Sequence, residues 1–392
     1  MKYEVYIILY KIISIYIYKL ELCVMMEKNT YSQEPVREDS SSTQLLINQG
    51  TFGCVYKPEF SCNKSINSKP FQKKMISKII TKTTNTQEND LGKIIQTILQ
   101  YDSYFAPIIN SCPINLGEIN NEELQKCQFI QNEKNNSIYS SNTIRFVGKQ
   151  SIYDALYRSS FPKILSCHIH LLKALTLLQT IDDPIIHYDL KENNIIFDEI
   201  YSVPIIIDFG ISFQSSKLKN INKDVFYVHY DKYPPWCIEI VILSYIVHNT
   251  GLDTSITITD QDISNLKTVC SNFVKQNTAF TGFETNELLE FENSLLLFID
   301  SFLSKSWEDL IQPLIAKYLT WDNYSICVIF YDILIKWEQD KEDISMKPFI
   351  LVYKTIIKNI ILSPPPSPRL LPKETQDLFI NLGKFKVFSP DT

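Results

Sequence analysis

His187-Tyr188-Asp189-Leu190-Lys191-Glu192-Asn193-Asn194 is followed, fourteen residues on, by Asp208-Phe209-Gly210. Each segment is preceded by an apolar, β-branched run, Ile185-Ile186 before the first and Ile205-Ile206-Ile207 before the second. Runs of this kind predict short buried strands that hold polar side chains at their ends. An aspartate, a lysine and an asparagine in one loop, with a second aspartate after the next strand, suit phosphoryl transfer. That chemistry needs a carboxylate at the attacking hydroxyl, and oxygen ligands for the magnesium ions that neutralise the phosphates.

In this order and at this spacing the two motifs resemble the catalytic and magnesium-binding loops of eukaryotic-type serine/threonine protein kinases. Tyr188 stands in the place of the usual arginine. The resemblance implies an α+β, bilobal fold with a small β-rich N-lobe and a larger helical C-lobe. It also implies ATP and Mg2+ as cofactors, and protein substrates with Ser/Thr acceptors. Asp189 would accept or orient the acceptor proton and Lys191 would stabilise the transferring group. Asn194 and Asp208 would bind metal, His187 would pack the loop, and Gly210 would allow a sharp turn. Lys191, two residues after the aspartate, matches serine/threonine rather than tyrosine kinases. Tyrosine cannot pair with a phosphate as arginine does, so activity is expected without phosphorylation of Ser212, Ser215, Ser216 or Tyr227.

Upstream, Ile47-Asn48-Gln49-Gly50-Thr51-Phe52-Gly53-Cys54-Val55 resembles the nucleotide-binding glycine-rich loop. A strand–turn–strand that lets backbone approach phosphate needs glycine, which has no Cβ. Gly50 and Gly53 match the pattern, and Asn48 replaces its first glycine. Lys78, flanked by apolar residues in Met75–Ile80, is the candidate phosphate lysine; Lys73, Lys74 and Lys82 compete for the role. Glu88 is its expected helix partner, since it shares a face with Leu91 and Ile95, whereas Asp90 is one methylene shorter.

Downstream, Asp322-Asn323-Tyr324-Ser325 resembles the family's buried helix, whose aspartate binds the catalytic-loop backbone. Pro235-Trp236-Cys237-Ile238-Glu239 stands at the Ala-Pro-Glu segment, with Glu239 as its acid. Arg369, the only arginine after Glu239, lies in a proline-rich run (364–372) that otherwise reads as a linker or polyproline ligand. It is expected to turn into the last helix and to pair with Glu239. Tyr104-Phe105-Ala106-Pro107, Arg145-Phe146-Val147-Gly148 and the 235–240 segment are similar to kinases of giant, mimivirus-type DNA viruses.

The whole chain fits this outline. Of its 392 residues 45% are hydrophobic and 12% aromatic, enough for a sizeable core. A net charge of −6 argues against a general nucleic-acid binder. Nine cysteines without a CxxC pair speak against a disulfide framework or a zinc site, and fit an intracellular, reducing compartment. Within residues 1–26, Val5 to Met26 is strongly apolar but carries Lys11, Lys19 and Glu21. Mid-helix charges cost a membrane span roughly 2.5–3.5 kcal/mol each, so an overcalled start before Met25 or Met26 competes with an anchor. Membrane association could come only through this segment. Residues 27–44 read as a flexible leader and 386–392 as a tail. The kinase-like domain spans 45–385, divided into 45–148 and 149–385, with an insertion at about 245–318. The N-lobe is expected to be an antiparallel sheet with one helix, and the Asn-rich stretches 120–123 and 131–142 read as loops.

Two rivals accompany this reading. A pseudokinase scaffold would typically have lost Lys78, Asp189 or Asp208. A small-molecule phosphotransferase of the aminoglycoside or choline type usually lacks Phe-Gly after the metal aspartate, and lacks the Asp-x-Tyr-Ser helix.

Overall fold

The computed structural model describes residues 45–50, 53–60, 75–81, 85–116, 122–132, 138–219, 221, 224–226, 228–249, 254–340 and 347–386. The N-terminal segment 1–26, the leader, Thr51, Phe52, Tyr227 and the last residues of the tail lie outside them. The described chain is mixed α/β, with a β-sheet first and a helical part after it.

Strands β1 (Leu45–Gly50), β2 (Gly53–Lys57), β3 (Met75–Thr81), β5 (Ile108–Ile114) and β6 (Tyr139–Arg145) form one antiparallel sheet in the order β1-β2-β3-β6-β5. Helix α1 (Asn85–Ile95) follows β3, with Glu88 in its first turn. Because side chains alternate along a strand, the register sorts them into two rows. Asn48, Val55, Lys78 and Asn142 line one face; Gln49, Cys54, Ile79 and Ser141 line the other. The second face carries a small core of Cys54, Tyr56, Phe60, Ile79, Leu124 and Cys127.

Two expectations fail here. Cys54 and Cys127, 73 positions apart, are joined by a disulfide, and Cys112 is disulfide-bonded too. Spacing along the chain finds only near neighbours, whereas the sheet and the short helix α2 (Gln128–Asn132) bring distant cysteines to a Cα–Cα separation of 6.1 Å. The cysteine pattern therefore no longer argues for a reducing compartment. The Asn-rich stretch is not all loop either: Glu122–Lys126 is a 3₁₀ turn, and Tyr139–Asn142 pair into β6 between β3 and β5. Ladder pairing on both sides overrides the composition.

The helical part is built on α4 (Phe161–Gln179), whose buried residues include Ile164, Leu171, Leu172, Leu175 and Leu178. It is preceded by α3 (Ile152–Leu156) and packs against α9 (Trp321–Asp340) and α11 (Pro372–Lys386). Between α5 (Ile238–Asn249) and α9 lie α6 (Asp260–Gln276), α7 (Thr285–Asp300) and α8 (Trp307–Ile315). Each of these three opens with a capping box, Thr259/Asp262, Glu284/Glu287 and Ser306/Asp309, which satisfies the free N–H groups of the first turn. Helix α10 (Lys347–Ile361) leads into the proline-rich turn and α11.

Three short strand pairings hold the polar segments between sheet and helices. β8 (Ile195–Asp198) and β9 (Val203–Ile207) form an antiparallel hairpin with Ile195 opposite Ile206. That register puts Asn194, just before β8, and Asp208, just after β9, at the same end. β7 (Ile185–Ile186) pairs with β10 (Phe213–Gln214), Ile186 opposite Phe213, so His187 and Ser212 leave the ladder together. β4 (Phe105–Ala106) adds to β9 in parallel. Segments 187–194 and 208–212 are thus bracketed at both ends.

Candidate active site

Lys78 projects from the middle of β3 with its ammonium between two carboxylates, 2.7 Å from Asp208 Oδ1 and 3.3 Å from Glu88 Oε1. Burial works against its charged form, yet the two carboxylates overcome this and hold the ammonium above its ordinary pKa. Burial, opposed by Lys78 and reinforced by the second carboxylate, raises Glu88. Burial pushes Asp208 the same way, but the Lys78 ammonium bonded to it holds it below the usual carboxylate range. Asp208 has φ +61°, a left-handed backbone, whereas Gly210 shows no positive φ. The turn expected at Gly210 is made at Asp208. What Gly210 supplies is room, because a Cβ there would lie 3.3 Å from Asp208 Oδ1.

The second cluster centres on Asp189. Its Oδ2 accepts from Lys191 Nζ and Asn194 Nδ2, both at 2.9 Å, and Asn194 Nδ2 also reaches the Asp189 carbonyl at 2.8 Å. Its Oδ1 accepts the Tyr233 hydroxyl. His187, fully buried, links the clusters: Nδ1 accepts from the Asp189 N–H, leaving Nε2 to donate to the Ile207 carbonyl at 3.0 Å. Its ring lies 4.8 Å from that of Phe209.

The loop backbone is clamped from below. Asp322, at the start of α9, accepts the N–H of His187 (2.7 Å) and of Tyr188 (2.9 Å). Tyr188 has φ +71°, which a bulky aromatic residue adopts only under external constraint. Trp236 supplies part of that constraint through a 3.0 Å bond from Nε1 to the Tyr188 carbonyl. Farther away, Arg369 and Glu239 meet at 3.0 Å with side chains only 1% and 2% exposed.

The glycine-rich segment is mixed. Asn48 and Val55 share the Lys78 face, while Gln49 and Cys54 face the other way. Cys54 is buried in its disulfide, and Gln49 accepts a bond from the Gln128 N–H, so their side chains do not meet Lys78. The period-2 alternation of a strand forces this split. Ile47 falls at the bulge between Leu46 and Asn48, and Gly50 pairs with Gly53 across the turn. A Cβ on Gly53 would stand 2.3 Å from the Ile79 carbonyl, so strand packing alone demands glycine there. Neither Tyr233 nor Trp236 stood out as a site residue in the sequence; the Tyr-Pro-Pro-Trp string was their only signal.

Asp208 Oδ1 takes the Lys78 bond, leaving Oδ2, and Asn194 donates through Nδ2, leaving its carbonyl oxygen. Two hard oxygen donors at one end of the β8–β9 hairpin fit Mg2+, which completes its octahedron with phosphate oxygens and water. Lys78 fits an anionic ligand. Among the described residues no group of three or more His, Cys, Asp or Glu is placed to hold a metal by itself.

No protein-family model matches the chain. Over 83 residues, 21% of its length, it is 36% identical to a probable serine/threonine-protein kinase, samkC, of Dictyostelium discoideum. The match covers 9% of that protein's length. This similarity points to a kinase-like chain, and it lends nothing to the viral resemblance.

Proposed function

We propose that the chain is an ATP-dependent serine/threonine protein kinase, with residues 45–148 as N-lobe and 149–385 as C-lobe around the two clusters. The observation that carries this reading is their pairing across His187. On one side lies a carboxylate already oriented by a lysine and an asparagine; on the other, an Asp208–Lys78–Glu88 ion cluster.

In this mechanism the acceptor hydroxyl bonds Asp189 Oδ1, which orients it and takes its proton. Lys191, 2.9 Å from Asp189, lies beside the acceptor and offsets charge on the phosphoryl group in flight. Lys78 binds the nucleotide phosphates and is kept extended by Glu88. Magnesium, held by Asp208 and Asn194, would neutralise phosphate charge. Backbone at Asn48–Gly50, and Val55 on the Lys78 face, would cover the nucleotide. Lys191 two residues after Asp189 favours Ser/Thr acceptors over Tyr.

The test uses the full chain with radiolabelled ATP, Mg2+ and generic protein substrates, beside Asp189→Asn. Removing the carboxylate is expected to lower transfer by ~10²-fold or more. Equal labelling by both proteins would overturn the mechanism, and phosphoamino-acid analysis separates Ser/Thr from Tyr.

A further inference from the structure

We infer that Tyr233 is a gate on the acceptor site: its phenol occupies the oxygen of Asp189 that an acceptor hydroxyl must use. The inference rests on the kinase reading and concerns how its protein substrate gains entry.

The two oxygens of Asp189 are unequally engaged. Oδ2 is fixed by Lys191 Nζ and Asn194 Nδ2, each at 2.9 Å. Oδ1 takes only the Tyr233 hydroxyl among its described hydrogen bonds. The same hydroxyl lies 3.4 Å from Lys191 Nζ. It therefore touches the two polar groups assigned to the acceptor, through the geometry an acceptor would use. Asp189 does not need Tyr233 for its orientation, because two other donors already set it. The phenol is a competitor rather than a support.

Tyr233 also has somewhere to go. Its residue is half-buried, with one ring edge against Trp236 at 5.1 Å between centroids. It forms one wall of a cavity of about 290 Å³ whose other walls include Pro234, Thr278, Thr281, Ile329 and Tyr331. Thr278 and Thr281 come from the connection between α6 and α7, within the segment inserted between Glu239 and Asp322. That connection also reaches the gate through Asn277 Nδ2, 3.5 Å from the Tyr233 carbonyl. The insertion thus builds the space into which the ring would retire.

An acceptor binding only the open fraction shows a KM raised by the inverse of that fraction. ATP, held on the Lys78 side, is unaffected. Tyr233→Phe keeps the ring and its packing but deletes the competing hydroxyl. A hydrogen bond to a charged group is strong enough that the acceptor KM is expected to fall about ten-fold, with the ATP KM unchanged and kcat not reduced. The experiment is steady-state kinetics on full-length wild type, Tyr233→Phe and Asp189→Asn with one generic protein acceptor, with melting curves as a folding control. If Tyr233→Phe melts early, Tyr233→Leu carries the same expectation. An unchanged acceptor KM, or a lowered kcat, in a wild type that transfers phosphate overturns the gate and leaves the kinase reading intact. No transfer above Asp189→Asn by wild type or variant overturns both.

Discussion

Arg369→Ala would remove the most completely buried charge pair in the described structure. The guanidinium donates to Glu239 at 3.0 Å, to the Ile360 carbonyl at 3.2 Å, to Thr320 Oγ1 at 3.2 Å and to the Ser363 carbonyl at 3.3 Å. Truncation leaves the Glu239 carboxylate 2% exposed and without its cation, and strips acceptors on α10 and on the turn after it. Breaking a buried pair from one side costs about 3–5 kcal/mol. For about 300 cooperatively folded residues, at ~2.1 cal/mol/K each, that is a Tm drop of about 5–8 °C. Differential scanning calorimetry would read it directly. Replacing both partners, as Arg369→Met with Glu239→Leu, leaves no stranded charge and is expected to cost less than Arg369→Ala alone. A melting curve for Arg369→Ala that overlays wild type, or a double variant no better than the single, would refute the view that this pair ties the last helices to α5.

Three further outcomes follow from single contacts. Lys78→Met leaves Asp208 and Glu88 facing each other without a cation, and on the kinase reading phosphate transfer in the radiolabel assay should fall by ~10²-fold or more. Asp322→Ala orphans two buried N–H groups at about 1–3 kcal/mol each, and urea denaturation should show roughly 2–6 kcal/mol lost. His168, buried against Phe330 and bonded to Tyr353, is depressed by burial from 6.5 to about 3. The unfolded chain then binds a proton that the folded chain refuses, so stability declines as pH falls from 6.5 toward 3. At about pH 4.5 the loss amounts to roughly 2.5 kcal/mol, and His168→Phe should flatten this part of the Tm–pH curve.

The site's ends were legible because β-branched runs mark buried strands, and two such runs put 187–194 and 208–210 just past strand ends. Glu239 and Arg369 could be matched because the resemblance implies an acid–arginine pair there and only one arginine follows Glu239. Other features needed three dimensions. The Cys54–Cys127 bond joins residues 73 apart that only a sheet and its covering turn can unite. Strand β6 hides in an Asn-rich stretch whose composition favours loops. Cys54 and Gln49 matched a motif by position, yet the pleat turns both away from Lys78. Tyr233 carried no signal of its own, since its role depends on where the chain folds back onto Asp189.

Tyr188 connects these parts. An arginine in its place would bring a charge into a site 2% exposed, where it would need a counter-ion to be tolerated. A tyrosine instead packs against Phe213, Phe226 and Trp236, with centroids 5.2, 6.3 and 5.2 Å away. These contacts hold the 187–194 loop by apolar burial together with the Asp322 clamp, and call for no phosphate. On the kinase reading, phosphatase treatment should therefore leave activity intact, and a loss would show that phosphate still does this work. The aromatic cluster continues through Trp236 to Tyr233, whose hydroxyl bonds Asp189 Oδ1. On the gate proposal, the variable that sets the rate is whether the Tyr233 hydroxyl or a substrate hydroxyl holds Asp189 Oδ1. Control would then lie in competition for one carboxylate oxygen, not in building the loop.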